Sequence, residues 1–150
     1  RMVADLLDHG LNHELIHQAI YDNFLENRLR FLGHSLLNRM EVYYEYNTAM
    51  IAIPYTDLKR FDLQTGDTEG VVNFLLSIQG IKMAALIIDR HQEVKLSFRS
   101  KGDFDLNTFA RKYFDGGGHF HAAGGHSADT LDVTVQRFVD AIAENEEALQ

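Results

Sequence analysis

The spacing of apolar residues changes at about residue 40, and this change limits the fold more than any other feature of the chain. Up to Met40, leucines recur every three or four residues, which is typical of an amphipathic helix. Beyond it, Val42–Tyr46 and Val94–Arg99 alternate with a two-residue period, and Lys82–Asp89 is almost continuously apolar, as strands are. Helical patterns separate the first of these strands from the other two, which a tight turn over residues 90–93 joins. The sequence therefore predicts an α/β domain with about five strands, mostly in one mixed sheet flanked by helices, preceded by a helical linker over residues 1–40.

Composition narrows the class of protein. A chain of 150 residues with 45% hydrophobic residues can bury a core, which argues against disorder. It contains no run of about 18 apolar residues, so no membrane-spanning helix is predicted. It also contains no cysteine, which excludes disulfides and thiolate metal sites and fits the cytoplasmic location that we expect. Because Arg1 already lies in a helical pattern, we expect the chain to be a piece of a longer protein.

Charge is distributed unevenly along the chain. The formal net charge is −8, which disfavours electrostatic coating of long nucleic acid. Residues 90–126, however, hold six Lys or Arg against four Asp or Glu, and four of the eight histidines also fall there. The remainder of the chain holds eight Lys or Arg against 18 acids. One basic region, rich in histidine and glycine, in an otherwise acidic protein indicates a small anionic ligand held locally.

The most unusual local feature is the run Gly116-Gly117-Gly118-His119. Consecutive glycines cost backbone entropy on folding, so they mark a place where a positive φ or a close approach to the main chain is needed. Their bare N–H groups can form a concavity that binds an anion, and His119 can donate a hydrogen bond to a phosphate oxygen. The same run is equally typical of a glycine-rich connection between a helix and a strand. Both interpretations stay open on this loop alone.

Arg99 is the second candidate for an anion contact. It alternates with Phe98 in a predicted strand, so the two side chains are expected on opposite faces. A guanidinium group matches phosphate oxygens in a bidentate way, and Ser100 can add a hydroxyl donor. The alternative is a solvated arginine at a strand end. Glu69, near a predicted helix start, can contact a ligand hydroxyl or base, or can be only an acidic residue in a first turn.

Histidines form a third set of candidates. His119, His121 and His126 suggest a zinc site, but structural zinc usually takes four ligands, often cysteines, and no acidic partner is convincingly spaced with them. His13 and His17 are spaced as one face of a helix, which we interpret as a solvated face. The sequence predicts no metal site within this chain.

Taken together, these segments resemble a known family. Along the chain stand Asp67-Thr68-Glu69-Gly70 at a helix start, an apolar strand, a strand ending in Ser97-Phe98-Arg99-Ser100, a helix, and the pattern Gly-Gly-Gly-His-x-x-Ala-x-Gly from Gly116. This order resembles the DHH-associated domain, the carboxyl-terminal domain of the DHH phosphoesterase superfamily, and within it the bacterial nanoRNases. The resemblance covers the whole chain, with residues 1–40 similar to the linker of that family and residues 41–150 to the domain itself.

The resemblance implies a division of work between two domains. In the family, an amino-terminal domain binds two Mn²⁺ or Mg²⁺ ions, which activate water to attack a phosphate ester. This chain has no Asp-His-His motif, so we expect that domain to precede Arg1. We also expect the present segment to hold no catalytic residue, to bind no metal and to be inactive alone. By resemblance, the residues that bind substrate and its phosphate are Arg99, Ser100, Gly116, Gly117, Gly118, His119 and Glu69.

The expected function follows from the same resemblance. The parent protein would hydrolyse short oligoribonucleotides, 3′-phosphoadenosine 5′-phosphate, or both. Its partners would be that substrate and the amino-terminal domain, with a homodimer of the full-length protein allowed and no membrane involved. Two alternatives are a non-catalytic nucleic-acid-binding module like that of alanyl-tRNA synthetases and an exopolyphosphatase-related protein. The deficit of positive charge disfavours gripping a large RNA, and polyphosphate would call for more Lys or Arg along an extended groove.

Overall fold

A computed structural model describes residues 12–21, 25–64 and 66–150 of the chain. The helices of these residues are α1 (His13–Tyr21), α2 (Glu26–Asn38), α3 (Tyr55–Arg60), α4 (Val71–Leu75), α5 (Leu106–Tyr113), α6 (Leu131–Glu144) and α7 (Glu146–Leu149). The strands are β1 (Met40–Tyr43), β2 (Thr48–Ile53), β3 (Met83–Asp89), β4 (Val94–Ser100), β5 (Gly117–His119) and β6 (Ala122–Ser127). No helix in the described ranges is long and apolar enough to cross a membrane.

All these strands join one mixed sheet in the order β1-β2-β3-β4-β6-β5. The pair β2–β3 is parallel, and every other neighbouring pair is antiparallel. The predicted α/β class and mixed sheet are confirmed. The strand beyond the expected five is β5, which the glycine run concealed because glycine is depleted in strands and has no side chain to show a two-residue period.

The core lies on both faces of the sheet, but it covers them unequally. On one face, α5 and α6 pack against the sheet, where Phe98 is fully buried and stacks on Phe138 with ring centroids 6.1 Å apart. On the other face, α2, α3 and α4 cover β1 to β3 and bury Phe31 and Ile51 completely. Among the described elements, none covers this second face over β6 and β5, and β4 is covered only in part, by α4, so the side chains on this face of β4 and β6 stay exposed or half-buried.

The prediction for the strand over Val42–Tyr46 was wrong in its extent. β1 ends at Tyr43, and Tyr44–Tyr46 forms a single 3₁₀ turn. Asn47 then adopts a left-handed conformation, with φ of 46°, which reverses the chain into β2. The alternating tyrosines continue the two-residue pattern of the sequence into this turn. The turn also leaves part of each tyrosine ring exposed, so the pattern does not distinguish it from a strand.

The helical pattern before residue 40 corresponds to two helices, α1 and α2, in the described residues. Asn12 caps α1, since its Oδ1 accepts hydrogen bonds from the N–H groups of Glu14 at 3.0 Å and Leu15 at 3.3 Å. α2 is packed on the sheet through the buried Phe31 and Ser35. Residues 1–11 and 22–24 of the predicted linker lie outside the described residues. The assignment of residues 1–40 as a linker between domains stays a prediction.

Candidate functional site

Arg99 lies on the face of β4 that points away from α5 and α6. Burial along this strand alternates strictly: Phe98 is fully buried, whereas Arg99 is only partly buried on the other side. Its Nη1 donates to the carbonyl oxygen of Phe98 at 2.8 Å, which holds the guanidinium close to the strand. In the part of the chain that the structure describes, no carboxylate forms an ion pair with Arg99. Its positive charge is therefore available to an anionic ligand.

A cavity of about 360 Å³ opens beside Arg99. It lies between β4 and the loop that leads into α4, and it is lined by Thr68, Glu69, Gly70, Val72, Leu86, Ser97 and Arg99. The loop is fastened to the sheet because Arg90 Nη2 donates to the Thr68 hydroxyl at 3.2 Å. Glu69 and Arg99, two residues selected from distant parts of the sequence, thus border the same space.

The glycine run is explained by close packing of β5. A Cβ at Gly116 would lie 2.1 Å from the carbonyl oxygen of Gly124, and one at Gly118 would lie 2.6 Å from that of Ala122. Any larger residue at either position would push β5 away from β6. The N–H group of Gly118 donates to Asn107 Oδ1 at 3.0 Å, so it is already engaged. Phosphate binding by the N–H groups of this run stays a prediction.

The start of α5 positions β5 through two hydrogen-bonded side chains. Asp105 caps the helix, accepting from the N–H groups of Asn107 and Thr108. The hydrogen bond from the Thr108 hydroxyl, helped by these N–H groups, lowers the pKa of Asp105 despite the smaller opposing effect of desolvation. Asn107, two residues after the cap, accepts a hydrogen bond from the N–H of Gly118, so a well-anchored helix terminus fixes the glycine run.

His119 lies in the same cross-strand row as Arg99. The register pairs Arg99 with Ala122 and Ala122 with His119, so their Cα atoms are two strand spacings apart, about 10 Å. His119 is exposed, and among the described residues its imidazole has no hydrogen-bond partner. The short side chain of Ala122 leaves space between the two, so Arg99 and His119 can contact one extended anion or two phosphates of one ligand.

The other basic side chains on this face are neutralised locally. Lys95 and His126 lie opposite each other on β4 and β6. Both contact Glu93, with Lys95 Nζ at 3.5 Å and His126 Nδ1 at 3.0 Å from its carboxylate oxygens. Arg90 has no ion pair among the described residues either, but it donates to the Thr68 hydroxyl, so Arg99 is the arginine that lines the cavity directly.

The remaining predicted residues lie elsewhere. Ser100 is buried on the opposite face from Arg99, where its hydroxyl donates to the carbonyl oxygen of Phe104 at 3.0 Å and lies 3.2 Å from His121 Nδ1. Its predicted contact with substrate stays a prediction. His119, His121 and His126 have different surroundings, and the described residues contain no group of three or more His, Asp or Glu side chains that could hold a metal ion.

Ser97 and Thr68 line the cavity but were missed in the sequence. Ser97 precedes Arg99 by two residues, so the strand alternation alone places it on the same face. Thr68 belongs to the segment that contains Glu69, but its place was set by the hydrogen bond from Arg90, which no local pattern indicates.

Comparison with known proteins identifies the family. The DHHA1 domain family matches residues 47–148. The bifunctional oligoribonuclease and PAP phosphatase NrnA of Bacillus subtilis is 32% identical over 80 residues, which cover 53% of this chain and 25% of that enzyme. An exopolyphosphatase-related protein from Bacteroides fragilis has a crystal structure that superimposes with a TM-score of 0.93 at 35% identity, covering 98% of this chain and 43% of that one.

A more distant structure has the same fold. The pGpG-specific phosphodiesterase PggH from Vibrio cholerae gives a TM-score of 0.61 at 14% identity, with 99% of this chain and 51% of that chain covered. The chain thus spans at most about half the length of each of these relatives. The family match over most of the chain agrees with the resemblance carried by Arg99 and Gly116–His119. The chain belongs to the DHHA1 domain family of the DHH phosphoesterase superfamily.

Proposed function

We propose that this chain is the substrate-binding domain of a metal-dependent phosphoesterase that hydrolyses short oligoribonucleotides or a nucleoside bisphosphate such as 3′-phosphoadenosine 5′-phosphate. The observation that carries the proposal is Arg99, an arginine with no carboxylate partner among the described residues, beside a cavity of about 360 Å³. The similarity to NrnA supports this substrate class, because that enzyme is named for both activities.

Each residue has a distinct role in the proposed site. The guanidinium fork of Arg99 holds a phosphate in a bidentate way, and His119 donates to a second phosphate or to the far side of the first. Glu69, across the cavity from Arg99, accepts a hydrogen bond from a ligand hydroxyl. Ser97 adds a hydroxyl on the cavity wall. These contacts bind and orient a phosphate ester without themselves cleaving it.

The cleavage itself is assigned to a separate domain. We propose that Mn²⁺ or Mg²⁺ ions are held by side chains of an amino-terminal DHH domain, where they supply an activated water. On this proposal, Arg99 and His119 present the phosphate to that domain, and the present chain alone has little or no activity. The full-length protein is expected in the cytoplasm, and a homodimer stays a prediction.

Polyphosphate is the second candidate substrate. The exopolyphosphatase-related protein from Bacteroides fragilis is 35% identical over nearly all of this chain. This similarity is the specific reason to consider polyphosphate as a substrate. A bare phosphate chain would use the row from Arg99 to His119 equally well. A separate role as an RNA-binding module is less well supported, because Arg99 is the one Lys or Arg on the outward side of β4, β5 and β6 without an acidic partner among the described residues.

Ligand titration of this 150-residue chain tests the proposal. Amide chemical shifts would be followed during addition of 3′-phosphoadenosine 5′-phosphate, a diadenylate, tripolyphosphate and a long single-stranded RNA. Shifts are expected at residues 68–70, 97–99 and 117–119. A nucleotide preference over tripolyphosphate supports the first candidate, the reverse supports the second, and a preference for long RNA with a steep salt dependence supports the binding module.

Two variants on one strand face sharpen this test. Arg99→Gln removes a charge-assisted contact worth about 1.5–3 kcal/mol, so affinity for the bound ligand should fall about 10- to 150-fold. Lys95→Gln is the matched control, since Lys95 lies on the same face of β4 but already pairs with Glu93. Both variants should melt within a few degrees of the parent chain. Equal affinities of Arg99→Gln and the parent would refute the assigned role of Arg99.

A further inference from the structure

A second, apolar cavity adjoins the one beside Arg99. It measures about 180 Å³ and lies between α2 and the start of α4. Its lining residues are Arg28, Leu29, Leu32, Asp67, Glu69, Gly70, Val71 and Phe74. Glu69 and Gly70 line both cavities, so a single dipeptide separates the apolar space from the space beside Arg99.

Phe74 is the residue of this cavity whose exposure is not explained by packing of α4 on the sheet. Its neighbours in α4, Val71, Val72 and Leu75, are buried against the sheet, whereas Phe74 is 50% exposed. Leu29, facing it from α2, is 52% exposed. Isolated exposed apolar residues are ordinary, but an aromatic and a leucine on the two walls of one cavity next to a phosphate site are typical of ligand contacts.

The size of the cavity restricts its occupant. Pockets that enclose a whole drug-sized ligand measure about 300–1,000 Å³, so a cavity of about 180 Å³ is suited to one planar ring system and not to a complete nucleotide. Aromatic side chains bind nucleobases by stacking, at about 1–3 kcal/mol per base, with little dependence on sequence. The apolar lining suits the faces of a base, and the neighbouring charge at Arg99 suits its phosphate.

We propose that this cavity is a nucleobase site, in which a base of the substrate stacks on Phe74 while the adjoining phosphate binds Arg99. The proposal rests on the function proposed above and narrows it. Glu69, common to both cavities, lies where the ribose must pass, and its carboxylate accepts a hydrogen bond from a ribose hydroxyl. A site of this kind selects nucleotides over inorganic polyphosphate, since a phosphate chain gains nothing from an apolar pocket.

The test compares one ligand that has a base with two that do not. The probes are 3′-phosphoadenosine 5′-phosphate, ribose 5-phosphate and tripolyphosphate, each titrated against the whole 150-residue chain. Phe74→Ala should weaken the nucleotide about 5- to 150-fold and leave both base-free probes unchanged. Val133→Ala is the control, because Val133 is also 50% exposed but lies on α6. Arg99→Gln should instead weaken every probe that binds.

A fluorescent variant gives an independent readout. The chain contains no tryptophan, so Phe74→Trp introduces a single indole at the proposed site. Its emission should be quenched by the nucleotide and not by ribose 5-phosphate, and the nucleotide affinity should return to that of the parent chain or exceed it. Phe74 is half exposed, so both substitutions should leave the melting temperature nearly unchanged.

The outcomes separate the two proposals. Equal nucleotide affinities of Phe74→Ala and the parent, with no quenching in Phe74→Trp, would overturn the base site and leave phosphate binding by Arg99 intact; the apolar walls would then be a surface that another domain covers. An equal loss for all three probes in Phe74→Ala would also overturn it. If Arg99→Gln changes no probe, the proposed function fails whatever Phe74 does.

Discussion

Asp57, in α3, is the residue whose replacement should most clearly uncouple α2 from α3. Its side chain is 6% exposed and accepts three hydrogen bonds from residues at the end of α2. Arg39 donates from Nε at 2.7 Å and from Nη2 at 3.1 Å, and His34 donates from Nε2 at 2.8 Å. Asn38 Nδ2 lies 3.1 Å from His34 Nδ1, which fits an imidazole that carries its proton on Nε2. We expect Asp57→Asn to destabilise the domain.

The expected magnitude follows from burial. Removing one partner of a buried, hydrogen-bonded ion pair costs about 3–5 kcal/mol. Asp57 is buried, but the Arg39 side chain is 37% exposed and regains hydration when its partner is lost, so the lower end applies, about 3 kcal/mol. For a chain of this length that corresponds to a fall in melting temperature of about 6–12 °C. Urea denaturation of the parent and variant would measure it.

The pH dependence gives a second check with a definite sign. Burial of Asp57 favours its neutral form, but the hydrogen bonds from Arg39 and His34 together outweigh this and lower its pKa. A lowered folded-state pKa contributes stability that is fully present above the unfolded value of about 3.9 and is lost as pH falls through the folded value. The difference between parent and Asp57→Asn should therefore shrink as the pH falls below about 4.

An exposed ion pair on the same helix provides the control. Glu26 and Arg30 pair at 2.7 Å, but both side chains are more than 70% exposed, so Glu26→Gln should change stability by less than about 0.5 kcal/mol. The reasoning about Asp57 is refuted if Asp57→Asn costs no more than Glu26→Gln, or if its cost does not shrink below about pH 4.

Three further substitutions test packing by thermal and urea denaturation. Gly116→Ala should cost about 1–3 kcal/mol or more, because the added Cβ would lie 2.1 Å from the carbonyl oxygen of Gly124; an unchanged stability would show that β5 can move away freely. Gly33→Ala in α2, where a Cβ meets nothing within 4 Å, should stabilise by about 0.5–1 kcal/mol, and a loss would contradict the open space there. Phe98→Ala should cost about 3–5 kcal/mol, whereas a loss below 1 kcal/mol would contradict its central packing.

Periodicity in the sequence was sufficient to place Arg99 on the correct face. Phe98 and Arg99 differ by one residue in a strand, so burying one side chain on the α5 and α6 side directs the other to the opposite side. The cap at Asp105 also has a local cause, because a side chain that accepts from N–H groups two and three residues later needs no other part of the chain. Features with local causes were the ones that sequence analysis could predict.

The cavities could not be predicted in this way, because their walls meet only in three dimensions. Thr68 is positioned by a hydrogen bond from Arg90, 22 residues away. Phe74 in α4 and Leu29 in α2 line the same cavity only because the two helices lie side by side in the fold. The strand β5 was hidden for a related reason: Gly116 and Gly118 are required by the carbonyl groups of Gly124 and Ala122, which contact them only after folding. The consecutive glycines indicate an unusual backbone conformation, but the sequence does not show which residues pack against it.

The position of the site follows from where the helical layer ends. α2, α3 and α4 cover the sheet over β1 to β3, and α4 also contacts the next strand, β4, whose outer side chains stay exposed or half-buried. Arg99 lies on this partly covered strand, and the loop before α4 lines the same cavity with Glu69 and Thr68. A partly buried arginine at the edge of a helical layer keeps its charge accessible to solvent. The low-dielectric protein on one side strengthens its attraction for an anion. Phe74 stays 50% exposed at the neighbouring cavity, which shares Glu69 and Gly70 with the cavity beside Arg99.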